Sequence, residues 1–167
     1  MYNNNEKRNE QELPIVPAAR IYHGTPDNSG SALSVRVYPA TIQKNGFVQM
    51  EFAAQSEAGD GSQSSMARFD WKHRAVIRLN FAETAELARV LSSGSPSPVF
   101  LERDSSPKWQ ASFNCASLGG GDARVELSLR YKAGENPCKT ISITLSREEA
   151  LGLGLALQSV MGRLCFG

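Results

Sequence analysis

Between residues 20 and 79 apolar and polar residues alternate in short runs, at about 20–24, 33–39, 46–55 and 68–79, each bounded by Gly, Pro, Asn, Asp or Ser. Successive side chains of a strand point to opposite faces, so the alternation predicts four strands, each with one apolar face. Asn80 with Glu83 then spells a capping box, and Ala85, Leu87, Ala88, Val90 and Leu91 continue as a helical apolar stripe up to Gly94. After a Ser/Pro stretch from Ser92 to Pro98 the plan recurs. Strands are predicted at about 99–103, 108–116, 123–132 and 138–145, and a helix from Arg147, opened by Ser146 and Glu149.

The two passages share more than their order. Ile77, Leu79, Asn80, Glu83, Leu87 and Leu91 match Ile143, Leu145, Ser146, Glu149, Leu153 and Leu157, each 66 positions further on. An internal duplication of a ββββα unit explains this, and the predicted class is α+β with antiparallel sheets. Residues 1–18 lack periodicity and carry Pro14 and Pro17, so they read as a flexible tail before one domain at 19–167, with repeats at 19–94 and 98–166.

Hydrophobic residues make up 41% of the 167, charged ones 21%, and no run of about 18 apolar residues occurs, which predicts a folded soluble protein with no membrane partner. Cys115, Cys138 and Cys165 form no CxxC pair and predict neither a disulfide framework nor structural zinc. Residues 1–12 resemble no secretory or organellar leader; a targeting segment, had there been one, has been removed. The formal net charge is +1, so bulk charge names no partner.

Strand parity changes that picture. Leu33, Val35 and Val37 alternate inward, with Arg36 and Tyr38 outward. Phe69, Trp71, Ala75, Ile77 and Leu79 face in, while Arg68, Lys72, Arg74 and Arg78 face out. Trp109, Ala111 and Phe113 oppose Lys108; Val125, Leu127 and Leu129 oppose Arg124, Arg130 and Lys132. The predicted strands hold twelve Lys or Arg against four acids, Glu51, Asp70, Glu102 and Glu126. Solubility and edge protection explain polar outer faces but not their sign. Basic faces attract phosphate backbones, and an outward aromatic such as Tyr38 adds stacking with unpaired bases. Candidate nucleic-acid contacts are therefore Arg36, Tyr38, Lys44, Arg68, Lys72, Arg74, Arg78, Lys108, Arg124, Arg130 and Lys132, with Tyr22 undecided and Trp71 and Trp109 read as core.

In the last helix Leu151, Leu153, Leu155, Leu157, Val160, Met161 and Leu164 spread round the whole circumference, which predicts burial on all sides and an oligomer interface. Gly152 and Gly154 weaken that helix and fit a close backbone approach. His23 and His73 lie far apart, Cys115 reads as core, Gly119–Gly121 reads as a hairpin loop, and no nucleophile elbow, P-loop or paired-carboxylate motif occurs. The expectation is a non-enzyme without metal or cofactor.

Ser31-Ala32-Leu33-Ser34-Val35, Asn45-Gly46-Phe47-Val48 through Phe52-Ala53, and Phe69-Asp70-Trp71-Lys72 followed by Glu83 resemble the Whirly family and its relatives, the kinetoplastid mitochondrial guide-RNA-binding proteins. The resemblance spans residues 20–166. It implies the Whirly fold, with two four-stranded antiparallel sheets packed crosswise, helices in the core of a homo- or hetero-tetramer, a mitochondrial location, and single-stranded nucleic acid held along the sheets. Where the plant proteins carry Lys-Gly-Lys-Ala-Ala-Leu, this chain has Ser29-Gly30-Ser31-Ala32-Leu33, without either lysine. That departure points to the kinetoplastid branch, whose members anneal guide RNA to pre-mRNA in uridine insertion and deletion editing. The expected partner is thus guide RNA or another single-stranded RNA. The alternatives are an organellar single-stranded DNA-binding protein, a non-binding scaffold subunit, and a barrel-shaped small-ligand carrier, against which the helix after the fourth strand speaks.

Overall fold

The alternating positions become two antiparallel sheets packed through their apolar faces. The computed structural model describes residues 15–59, 66–93, 99–106, 109–118, 124–133 and 137–165. The first sheet runs β1 (Ile15–His23), β2 (Ser31–Tyr38), β3 (Phe47–Glu57), with β4 (Arg68–Phe69) and β5 (Ala75–Leu79) both paired to β3. Helix α1 (Phe81–Ser93) follows. The second sheet runs β6 (Val99–Ser106), β7 (Trp109–Ser117), β8 (Val125–Ala133) and β9 (Lys139–Leu145), and α2 (Arg147–Cys165) closes the chain. β1 begins at Ile15, inside the segment expected to be tail. It is an edge strand, and its register with β2 slips between Ile15 and Ala19, a place where Pro17, lacking an N–H, removes no central ladder bond.

The halves agree in register. Met50 lies between Val35 and Ile77, as Leu127 lies between Cys115 and Ile143; Phe52 lies between Leu33 and Ala75, as Leu129 lies between Phe113 and Ile141. These inner residues form one core, with Phe52 and Phe113 meeting across the sheets at 6.4 Å between ring centroids. Each fully buried Leu, Ile or Phe contributes about 1.5–3 kcal/mol by leaving water. Cys115 belongs to this core, and burial pushes its thiol up to about 12.

Both capping boxes form. Asn80 Oδ1 accepts from the Glu83 N–H at 3.0 Å and Glu83 Oε2 from the Asn80 N–H at 2.9 Å; Ser146 and Glu149 repeat the exchange at 3.2 and 2.9 Å. Each box also ties its helix to the first strand of the other half. Arg103 of β6 donates to Glu83 at 2.5 Å, and His23 of β1 meets Glu149 at 2.9 Å. By register His23 and Arg103 are equivalent, so the ties are related by the duplication. α1 and α2 pack side by side. A Cβ on Gly154 would lie 2.9 Å from the Ser92 nitrogen and 3.1 Å from the Ala88 carbonyl, so this glycine lets α2 approach α1 of the same chain, whereas Gly152 faces open space.

One expected strand is broken. Asp70 accepts from the His73 backbone N–H at 3.2 Å, and its Oδ2 lies 2.7 Å from His73 Nδ1. The short side chain so competes with the ladder that residues 71–73 form a single 3₁₀ turn between β4 and β5. The turn lifts Trp71 out of the inner row. Trp71 is half-buried outside the core, which corrects the core reading of this residue.

Candidate nucleic-acid interface

On β1, β2, β3 and β5 the positions opposite the core form two cross-strand rows. Arg20, Ser34, Glu51 and Val76 make one; Arg36, Gln49 and Arg78 make the next. Tyr38 and Phe47 end the face as a neighbouring pair. Their rings stack at 4.5 Å with planes 12° apart, and the Arg78 guanidinium lies 4.8 Å from the Phe47 centroid. Offset stacking and cation–π contact of this kind fix flat surfaces next to positive charge.

Glu51 organises the middle of the face. Only 1% of its side chain is exposed, and the carboxylate sits between the Arg36 Nη2 at 3.4 Å and the Arg74 Nε at 3.3 Å, with Gln49 Nε2 donating to it at 2.8 Å. Gln49 in turn accepts from the Arg78 Nε at 3.1 Å, so three arginines are joined through one acid. A buried carboxylate with two cationic partners is compensated, and it fixes both guanidinium groups in place. Among the described residues, four arginines, Arg20, Arg36, Arg74 and Arg78, thus share this surface with one carboxylate.

Arg20, Ser34, Arg36, Glu51 and Arg74 border a cleft of about 260 Å³, together with two aromatic rings. Tyr22 and Trp71 stand edge to face, 6.4 Å apart at 82°, and Phe69 packs on Tyr22 at 5.6 Å. Tyr22, undecided by parity, is outward and half exposed.

The opposite sheet is less basic. Arg103, Arg130 and Lys132 border a cleft of about 390 Å³ with Glu102, Gln110 and Ser112; Arg103 is already paired with Glu83, and the Arg130 Nε lies 3.1 Å from Cys138 Sγ. Glu102 and Glu126 both stand on this outer face. Of the four strand acids, Glu102 and Glu126 thus offset the cations here, and on the first sheet Glu51 is built into the face itself.

The remaining expected residues scatter. Arg68 pairs with Glu57 at 3.4 Å beside the first face. Lys72 is exposed on the 3₁₀ turn, and neither it nor Lys132 has an ion-pair partner among the described residues. Lys44 is exposed in the turn between β2 and β3, and Arg124 at the foot of β8. Lys108 lies outside the described residues, as does the side chain of Trp109. Sequence reasoning missed Ser34, Phe47 and the structural use of Glu51. The parity that found Arg36 places all three on the same face, but an apolar Phe and an acid do not stand out in a search for cations.

In α2, Leu153, Leu157 and Leu164 are buried in the chain's own core and Val160 and Met161 pack against it. Leu151 and Leu155 are 42% and 53% exposed. The all-round apolar helix is thus partly explained within one chain.

No family model matches the sequence, and neither does any curated protein. Solved structures match in shape. WHY1 from Arabidopsis thaliana superimposes with a TM-score of 0.70 at 20% identity, covering 92% of this chain and 89% of that one. WHY3 from the same plant gives 0.65 at 19% over 90% and 88%, and the plant transcriptional regulator PBF-2 gives 0.64 at 20% over 91% and 84%. The chain has the Whirly fold.

Proposed function

We propose that this protein binds single-stranded nucleic acid along the outer face of its first sheet, chiefly through phosphates, and does no chemistry on it. The observation that carries the reading is the set of four arginines around one carboxylate, interleaved with Tyr22, Tyr38, Phe47 and Trp71. Cations attract the backbone and release its counterions; aromatic faces accept unpaired bases without reading their identity. The shape shared with a plant transcriptional regulator supports it.

The finer reading is RNA: an annealing chaperone that neutralises guide RNA and pre-mRNA and leaves their bases to pair, within mitochondrial uridine insertion and deletion editing. It rests on the sequence resemblance. A single-stranded DNA role in an organelle is the second reading, favoured by the likeness to PBF-2. We place the working unit in a tetramer, of identical or paralogous chains, with Leu151 and Leu155 of α2 facing a second subunit.

Fluorescence anisotropy with labelled single-stranded RNA, single-stranded DNA and duplex tests both levels. Single strands bind over duplex, and log K falls with log salt by about 0.7 for each phosphate contact. RNA over DNA, with faster annealing of complementary strands, supports the editing role; the reverse order supports the DNA role. Failure to bind either strand at low salt rejects the proposal.

A further inference from the structure

Two buried polar atoms beside Glu51, Ser34 Oγ and Arg36 Nε, have no hydrogen-bond partner among the described residues, and both residues line the cleft. Ser34 is 2% exposed and lines the cleft. Orphaned buried donors cost stability unless a ligand completes them. Both can donate, and they sit in adjacent rows of one face, so an acceptor with several oxygens satisfies them together.

The charge around them narrows the choice. Arg20, Arg36 and Arg74 border the cleft with Glu51, three cations against one anion. Both Glu51 oxygens are engaged, Oε2 by Arg36 and Oε1 by Arg74 and Gln49, so the carboxylate positions the guanidinium groups. Arg74 is held a second time, its Nη1 donating to the Trp71 carbonyl at 2.9 Å. The excess of two positive charges exceeds what one internal phosphodiester, carrying a single negative charge, neutralises. A phosphate monoester, about −1.5 to −2 at pH 7, matches it.

The wall says what the phosphate is attached to. Trp71 and Tyr22 form a right-angled corner, in which a flat ring lying on one face meets the edge of the other. At about 260 Å³ the space falls just below the range of about 300–1,000 Å³ usual for small-molecule sites, suiting one nucleotide rather than a long stretch of chain.

We propose that this cleft is a site for a nucleotide bearing a terminal phosphate monoester, its phosphate on Ser34, Arg36 and Arg74 and its base in the Trp71–Tyr22 corner. The site deepens the single-strand reading by placing a strand end there. A free nucleoside monophosphate offers the same chemistry.

The test compares oligonucleotides of one sequence ending in 5′-phosphate, 3′-phosphate or hydroxyl groups only, and titrates the intact protein separately with adenosine monophosphate and with adenosine. A phosphorylated end binds roughly tenfold tighter than the hydroxyl strand, the gain of about one set of charge-assisted hydrogen bonds. Ser34→Ala and Trp71→Leu each remove most of that preference. Ser34 Oγ has no partner to lose, so that variant keeps its melting temperature and any fall in preference is not misfolding. A preference seen with strands identifies an end site; one seen with the monophosphate over adenosine alone identifies a mononucleotide site. Equal binding in both comparisons overturns the inference, and if the strands still bind, the proposed function stands without it. Strands that fail to bind while the monophosphate binds would reject that function and leave the site.

Discussion

The two halves of the chain share their inner faces and differ in their outer ones. Residue for residue in the register, Leu33 corresponds to Phe113, Val35 to Cys115, Met50 to Leu127, Phe52 to Leu129 and Ile77 to Ile143, all apolar and all buried. On the other side Arg36 corresponds to Ala116, Glu51 to Ser128 and Arg78 to Thr144. Close packing constrains the core to apolar groups of matched volume, whereas a solvated face accepts substitution and can specialise. The charged and aromatic cluster is built on the first half. The second keeps the architecture and carries Arg130 and Lys132 beside Glu102.

Breaking the shared side has the largest effect. Phe52→Ala and Leu129→Ala each remove a buried side chain at an equivalent position and destabilise by about 3–5 and 2–5 kcal/mol, read by urea unfolding. A destabilisation in only one of them would show that the core is not common to both halves. Arg36→Ala comes next. It leaves the buried Glu51 with Arg74 as its remaining cation and costs about 2 kcal/mol, while Ala116→Arg, at the equivalent site opposite Glu126, shifts stability by less than about 0.5 kcal/mol.

The helix ties sharpen the comparison through pH. Burial alone would raise the Glu149 carboxyl, but the His23 hydrogen bond, the Ser146 N–H and the His23 charge outweigh it and hold it below its ordinary 4.5. A carboxyl depressed on folding stabilises above its unfolded value, and that stabilisation drains as pH falls through the folded one. Wild type therefore melts higher than Glu149→Gln at pH 6, and the gap closes as acid is added below about pH 4.5. A gap that persists unchanged to pH 3 contradicts the tie. The smallest expected effect is that of Ser34→Ala, which removes a partnerless buried hydroxyl and leaves thermal stability equal or slightly raised. A clear drop in melting temperature would mean that Ser34 Oγ has a structural partner.

Much of this was legible in the alternation. The paired strands, both capping boxes and the buried rows from Leu33 to Leu145 follow from period-two burial and from Asn80 and Ser146 as caps. Trp71 was not legible, because two contacts between Asp70 and His73 interrupt a strand whose alternation breaks only at His73. The role of Glu51 was hidden for a different reason: an acid among arginines looks like dilution in a count of charges, and only the cross-strand register shows Arg36 and Arg74 sharing it. Nor could apolar composition divide α2 between its own core and its exposed Leu151 and Leu155, since the docking of α1 decides it.

In the proposed function the first sheet, not the second, carries the nucleic-acid face. The most direct measurement is the salt dependence of single-strand affinity for two variants, Arg20→Ala with Lys72→Ala and Arg78→Ala on the first half, and Arg130→Ala with Lys132→Ala on the second. Neither set removes a cation paired directly with Glu51; Arg78 reaches it only through Gln49. The first set is expected to weaken binding uniformly across sequences and to flatten the salt slope by about 0.7 to 1 for each phosphate no longer held, with a lesser change in the second. Unchanged affinity and slope in the first set, or a larger weakening in the second, would contradict it.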